Sequence, residues 1–178
     1  MWVATNEEES AATQELRSLP DRPLAIVAAA LMERRLSALL TGCLQDGALR
    51  KETVFERMFR SSGPIGSFSA KIHLGFMVRL YDHRTMLNLE RIKDIRNRFA
   101  HDLAASSFQQ FKDACMNLDI AHHFFEYGEE TPMPRRVRNM VAIKNLTESL
   151  ADPRERFLMA VMLYSTDFAM GPPGPRLG

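Results

Sequence analysis

One segment limits the fold of this chain more than any other: residues 21–45, which read DRPLAIVAAALMERRLSALLTGCLQ. Asp21 is a typical helix N-cap, and the alanine and leucine residues that follow favour an α-helix. Apolar or small residues occupy nearly every side of this predicted helix up to Leu44. Such a helix is typical of the centre of a bundle, because it must be surrounded on most sides to leave water.

The rest of the sequence predicts helices as well, since the alternation of apolar and polar residues that is typical of strands is missing. The clearest helix start lies near the C-terminus, where Asp152 is a predicted N-cap, Pro153 takes the first helical position and Glu155 is placed to complete a capping box. We expect an all-α fold, a single-domain bundle of about seven helices. The other predicted helices cover about residues 11–18, 51–60, 67–81, 83–101 and 107–126, with a further helical stretch that ends near residue 150.

The two ends of the chain differ in composition from its middle. Residues 1–10 are polar and acidic, and we expect them to form a flexible tail. Residues 171–178, GPPGPRLG, predict a second flexible tail that is rich in proline and glycine. The segment between them, residues 11–170, is long enough to bury a core as one helical domain.

Charge and cysteine content exclude several classes of protein. The 23 Lys and Arg residues nearly balance the 22 Asp and Glu residues, so the positive field of a protein that grips nucleic acid through its phosphates is missing. Cys43 and Cys115 lie far apart without a CxxC spacing, which argues against a zinc site or a disulfide framework. The longest apolar run is far shorter than the roughly 20 residues that span a bilayer. We therefore expect a cytoplasmic protein with no cofactor, no metal ion and no membrane contact.

Two charged residues interrupt predicted core faces. Rotation by about 100° per residue places Arg96 near the centre of an apolar stripe, and it places Glu33 inside the apolar stripe of the long helix. A guanidinium keeps its proton in proteins and is almost never buried without a partner. We therefore expect Glu33 and Arg96 to form a bidentate ion pair that joins the two helices. The stripe around Arg96 consists of Met86, Leu89, Ile92, Ile95, Phe99, Ala100 and Leu103.

Asn97 and His101 are spaced by four residues and so project together from an adjacent side of the same helix. For His101 two interpretations stay open. It is a functional group, or it caps the last carbonyl groups of its helix and interacts with the negative end of the helix dipole.

The residues R-N-x-F-A-H at positions 96–101 resemble the R-x4-6-H signature of the HEPN superfamily. In active members this resemblance implies metal-independent RNA cleavage at a dimer interface. Arg96, Asn97 and His101 would then be the catalytic residues, with His101 moving a proton at the ribose 2′-hydroxyl and Arg96 stabilising charge on the phosphate. In members without activity, the arginine and the asparagine fasten helices together.

A longer resemblance links three segments, in order and in spacing, to the mannitol operon repressor family of bacterial regulators. They read DRPLAIVAAALMERRLSALL, GPIGSFSAKIHLGFMVRLYD and LERIKDIRNRFAH, and the similarity covers residues 21 to about 103, with a weaker part to about 126. The resemblance implies an all-helical transcription regulator. The sequence contains no helix-turn-helix with an exposed basic recognition helix, so direct DNA binding is not expected.

The function predicted from the sequence is a repressor-like regulator that acts through protein contacts. Its predicted partner is another regulator or a second copy of this chain, as a homodimer or larger homo-oligomer. Two alternatives stay open: a HEPN-type endoribonuclease, for which RNA is the partner, and a non-catalytic adaptor or antitoxin-like binding module.

Overall fold

A computed structural model describes residues 14–45, 52–120 and 150–169 of this chain. These residues contain no β-strand, so the all-α prediction is confirmed. The tails predicted over residues 1–10 and 171–178 lie outside the described residues, as does most of the helical stretch predicted before residue 150. The principal helices are α1 (Asp21–Gln45), α2 (Glu52–Phe59), α3 (Phe68–Met77), α4 (His83–His101), a 3₁₀ helix (Phe108–Phe111), α5 (Lys112–Met116) and α6 (Pro153–Ala169).

Short polar side chains fix the start of three helices. The Ser67 hydroxyl accepts a hydrogen bond from Ala70 N at 3.1 Å ahead of α3, and the Asp82 carboxylate accepts one from Thr85 N at 2.8 Å ahead of α4. Asp152 accepts a bond from the backbone N–H of Glu155 at 2.9 Å, which confirms the predicted N-cap of α6.

The capping box predicted at the start of α6 does not form. The Glu155 carboxylate lies 3.1 Å from the Arg17 guanidinium, a group 138 residues away in the chain. An ion pair between neighbouring segments has replaced the local hydrogen bond.

Asp21 is not the N-cap of α1, contrary to the prediction. Leu24 N donates to Pro20 O, so α1 begins one residue earlier than a cap at Asp21 would allow, and Asp21 lies in the first turn. Its carboxylate accepts a bond from Phe108 N at 2.9 Å and one from Arg154 at 2.6 Å. Asp21 therefore ties the start of α1 to the 3₁₀ helix and to α6.

The single helix predicted over residues 107–126 is also wrong in its described part. Ser107 and Gln110 form a capping box around the 3₁₀ helix, and α5 follows for only five residues before the chain leaves the helix after Met116. Residues 121–126 lie outside the described part of the chain.

Contacts at the start and near the middle of α1 define the topology. Arg154 binds Asp21, and the Ser165 hydroxyl lies 3.9 Å from the Met32 sulfur, so both contacts join residues 133 apart and α1 and α6 run parallel. Arg22, at the start of α1, binds carbonyl oxygens at the end of α4, so these two helices run antiparallel.

Helices α3 and α4 form a hairpin whose arms are joined by a bond from Ser69 to Glu90 at 3.3 Å. Helix α1 contacts α3, α4 and α6, and most of its apolar residues are buried among them. Val27 on its remaining side is 47% exposed, so among the described residues the predicted central helix is surrounded on three sides only. Near the end of α4, the Phe99 ring packs edge-on against the Phe108 ring of the 3₁₀ helix, with ring centroids 4.8 Å apart.

Candidate functional site at the end of helix α4

Helix α4 carries the predicted site residues on its C-terminal half. Its inner face packs into the core through Leu89, Ile92, Ile95 and Phe99, each at most 1% exposed. The face ends earlier than the sequence stripe suggests, because Leu103 lies beyond the helix and is 90% exposed. Ala100 is exposed as well, so the inner face is also narrower than predicted, and Arg96 lies at its edge instead of its centre.

Arg96 is half-buried at that edge and donates from its guanidinium to the side-chain oxygen of Asn97 at 2.8 Å. Neighbours on a helix rarely bond through their side chains, since adjacent residues point about 100° apart. The bond is possible here because Arg96 is long enough to bend around the helix. Two of the three motif residues, Arg96 and Asn97, are thus brought together.

The ion pair predicted between Glu33 and Arg96 is replaced by a different one. Glu33 accepts a hydrogen bond from Lys71 Nζ of α3 at 2.7 Å, and the Lys71 side chain is only 10% exposed. Glu33 does neutralise a cation at a helix interface, as expected, but the cation comes from α3. The reason is geometric: Glu33 lies more than two turns along α1 from Arg22, which marks the level of the end of α4.

Arg22 is a structural residue that the sequence did not reveal. Its Nε donates to Phe99 O at 2.7 Å, and a terminal nitrogen donates to Asp102 O at 2.7 Å. The last carbonyl groups of a helix lack partners within the helix, and a guanidinium satisfies them while stabilising the negative end of the dipole. The capping role in one interpretation of His101 therefore belongs to Arg22. Its partners lie 77 and 80 positions away, so no local pattern marks them.

Asn97 and His101 line a shallow, open depression of about 480 Å³ on the outer side of α4. His101 is exposed, and among the described residues its imidazole has no hydrogen-bond partner. Arg98 lies over the Phe111 ring, 5.7 Å from its centroid, which restrains the guanidinium beside the depression. The lining is completed by the carboxylates of Asp94 and Asp102.

This arrangement offers hydrogen-bond donors and both signs of charge on one exposed face. All five lining residues come from the last turns of α4 and the residue after it, so residues 14–45, 52–120 and 150–169 give the depression no opposite wall. Arg96 and His101 are five positions apart and so leave the helix about 140° apart. Within one chain, the guanidinium and the imidazole therefore do not converge on a common point.

Asn88 lies on the same helix as the motif residues, nearer its start. It is a second polar residue that the sequence analysis did not single out. It is completely buried, and its amide nitrogen donates to Asp119 O and to the Tyr164 hydroxyl, both at 2.7 Å. Its amide oxygen accepts bonds from Asp119 N at 2.9 Å and from Arg91 at 3.2 Å. Because every polar atom of this side chain is satisfied, it serves as a structural connection between α4, α6 and the segment after α5.

Titration near this network follows from burial. Burial raises the pKa of Asp167 to about 6, and it raises the pKa of the Tyr164 hydroxyl above its ordinary value. Burial likewise raises the pKa of the Cys115 thiol to about 12, so this thiol stays protonated and is a poor nucleophile.

The described residues contain no group of three His, Cys, Asp or Glu side chains that could hold a metal ion. Helices within residues 14–45, 52–120 and 150–169 are also too short or too polar to cross a bilayer.

Comparisons with known proteins give one informative result. No family model and no curated protein matches this chain. Among solved structures, a chain of the X-ray structure of the MtlR–HPr complex from Escherichia coli is similar, with a TM-score of 0.64 and 13% sequence identity. The similarity covers 90% of this chain and 97% of that one. At this identity the likeness concerns the fold, so the chain has an MtlR-like all-α fold.

Proposed function

We propose that this chain is a regulator of the mannitol operon repressor type that acts by binding a protein, not by catalysis. The supporting observation is the likeness of fold to MtlR over nearly the full length of both chains, in a structure where MtlR is in complex with HPr. HPr, or a protein like it, is the candidate partner. The proposal includes a cytoplasmic location and assembly into homo-oligomers, and it does not include direct contact with DNA.

The shape of the α4 surface supports a protein partner. Small-molecule sites enclose most of the surface of their ligand, whereas protein interfaces are broad and shallow. The depression at Asn97 and His101 has one wall and a mixed set of charges, which suits the polar part of an interface. Leu103, 90% exposed beside it, offers an apolar contact of the kind that a partner buries.

The test is a titration of the full chain with HPr by isothermal calorimetry. We expect binding, weakened about tenfold by the double change Asn97→Ala with His101→Ala, because about 1.4 kcal/mol of polar contact is lost. Arg34→Ala is the matched control, since Arg34 is an exposed residue of α1 more than two turns beyond Arg22, and it should leave the affinity unchanged. An absence of binding to HPr from Escherichia coli and from the organism of this chain would overturn the proposal of this partner.

The nuclease alternative is tested with the same variants. The chain is incubated with mixed RNA in EDTA, and we expect the parent and His101→Ala to give the same intact RNA. Cleavage that resists the chelator and is abolished by His101→Ala would favour the endoribonuclease instead.

A further inference from the structure

The connection between α3 and α4 contains backbone strain at a residue with a large side chain. Helix α3 ends in a Schellman motif, with Leu80 N donating to Gly75 O at 2.9 Å and Arg79 N donating to Phe76 O at 3.0 Å. The residue after the C-cap in this motif is usually glycine. Here it is Arg79, with a φ of 59° in the left-handed region, which is unfavourable for a residue with a Cβ atom.

The surrounding structure holds this strained turn in place. Tyr81 donates from its hydroxyl to Ile72 O at 2.7 Å, and its ring lies directly on Gly75. A Cβ atom at Gly75 would lie 2.4 Å from the Tyr81 hydroxyl oxygen, so glycine is required at this point of close approach. Strain that a structure maintains in this way is often associated with a functional surface.

Apolar side chains are exposed around the same turn. Met77 is 75% exposed, and Phe76, Val78 and Leu87 are each exposed by more than a third. The Phe76 ring lies 6.0 Å from the His83 ring, and Leu87 follows His83 by one turn of α4, so Phe76, His83 and Leu87 adjoin one another, with Met77 and Val78 exposed next to Phe76 in the chain. We call Phe76, Met77, Val78, Arg79 and Leu87 the α3–α4 corner. A contiguous exposed apolar surface of this kind marks an interaction site more often than a solvated one.

The charge at the α3–α4 corner is positive. Within the described residues, the exposed Arg79 guanidinium has neither an ion-pair partner nor a hydrogen-bond partner. Arg84 is 46% exposed nearby and lies 3.5 Å from Asp119. The closest acidic residue in the chain, Asp82, caps α4 through Thr85 N. A partner that covers the apolar side chains must therefore also offer a carboxylate to Arg79, because burying a cation alone is costly.

We propose that the α3–α4 corner binds an acidic amphipathic helix of a partner protein. The apolar face of that helix covers Phe76, Met77 and Leu87, and a carboxylate at its edge accepts hydrogen bonds from the Arg79 guanidinium. Arg79 directly follows the exposed Phe76, Met77 and Val78 in the chain, at the turn with the left-handed backbone. This site goes beyond the proposed function: it lies at the start of α4, about 27 Å along the helix from His101.

The probe is a fluorescein-labelled 18-residue helical peptide with leucines on one face and glutamates along its edges. Its binding to the full chain is measured by fluorescence anisotropy at two salt concentrations. We expect saturable binding that weakens as salt rises. A matched peptide with lysines in place of the glutamates should bind at least tenfold more weakly, and so should one with serines in place of the leucines.

Variants of the chain separate recognition from stability. Arg79→Gly removes the guanidinium and also relieves the left-handed strain, so it should weaken binding about tenfold while raising the melting temperature by about 2–4 °C. Met77→Ser should weaken binding about tenfold, and Arg79→Lys should retain most of it. Arg34→Ala is the control that should leave peptide binding unchanged. The α3–α4 corner includes neither Asn97 nor His101, so failure of the HPr experiment does not affect this one.

Three results would overturn the proposal. One is no binding of the glutamate peptide, and another is equal binding by the parent and Arg79→Gly. The third is a homodimer, measured by light scattering, that Met77→Ser dissociates, because the corner would then be covered by a second copy of the chain.

Discussion

Two asparagines of helix α4, Asn88 and Asn97, have opposite environments. Asn88, in its middle, is fully buried and satisfied by the backbone of Asp119 and by Tyr164. Asn97, near its end, bonds within the described part of the chain only to its own neighbour Arg96, and it faces an open depression. The same residue type therefore connects segments of the fold at one position and lines an open polar surface at the other. Position relative to the core, not residue chemistry, decides between these roles.

The largest effect is expected when the buried asparagine is removed. Asn88→Ala removes one hydrogen-bond partner each from Asp119 N, Asp119 O and the Tyr164 hydroxyl, next to a side chain that is itself completely buried. Stranding buried polar groups costs about 1–3 kcal/mol each, so the free energy of unfolding should fall by about 3 kcal/mol in urea denaturation. Asn97→Ala is the control and should change it by less than about 0.5 kcal/mol. Similar losses for both would remove the contrast.

A smaller loss is expected when the cap of α4 is removed. Arg22→Ala eliminates two charge-assisted hydrogen bonds to Phe99 O and Asp102 O, and it should lower the free energy of unfolding by about 2 kcal/mol. Amide hydrogen exchange should accelerate in the last turn of α4, next to Asn97 and His101, before it does around Asn88. Unchanged exchange at the end of α4 would show that Arg22 does not hold this end.

Asp167 gives the buried network a pH dependence. Its pKa is raised by burial from 3.8 to about 6, so the folded chain holds this proton more tightly than the unfolded chain does. Stability from this group is present below about pH 4 and is lost as the pH rises to 7, by about 1–2 kcal/mol. Asp167→Asn should remove this part of the decrease in stability with rising pH. The measurement is the difference in urea midpoint between the parent and Asp167→Asn, followed from pH 4 to pH 7. A constant difference across that range would contradict the raised pKa.

The smallest effect concerns the ion pair that replaced the predicted one. A double-mutant cycle on Glu33 and Lys71 should give a coupling energy of about 1 kcal/mol, because the pair is partly shielded from water. The same cycle on Glu33 and Arg96 should give a coupling near zero. A larger coupling for the second cycle would restore the original prediction.

The helices and their caps were predictable because the signals are local. Asp152 caps α6 as the sequence indicates, since an N-cap needs only a side chain and an N–H three residues later. The all-α class followed from residue preferences that act along a single segment. The boundaries at Asp21 and after Met116 were not predictable, because Asp21 takes partners from distant segments and the 3₁₀ helix competes with a longer α-helix.

At the candidate site, the sequence indicated which helix matters but not how its charges are satisfied. The periodicity placed Ala100 and Leu103 on the apolar stripe, but Ala100 is exposed and Leu103 lies beyond the helix, so the buried face is centred away from Arg96. Lys71 and Arg22 find their partners 38 and 77 positions away. Such contacts depend on how the helices pack against one another. That packing cannot be read from the pattern of a single sequence.

The parallel packing of α1 on α6 has a consequence for biosynthesis. These two helices occupy opposite ends of the described chain, yet each covers the other through contacts between residues 133 positions apart. The ribosome therefore releases α1 with its apolar side uncovered and delivers the matching residues only 133 positions later. Until then the nascent chain depends on α3 and α4, or on a chaperone, to cover that apolar surface and prevent aggregation.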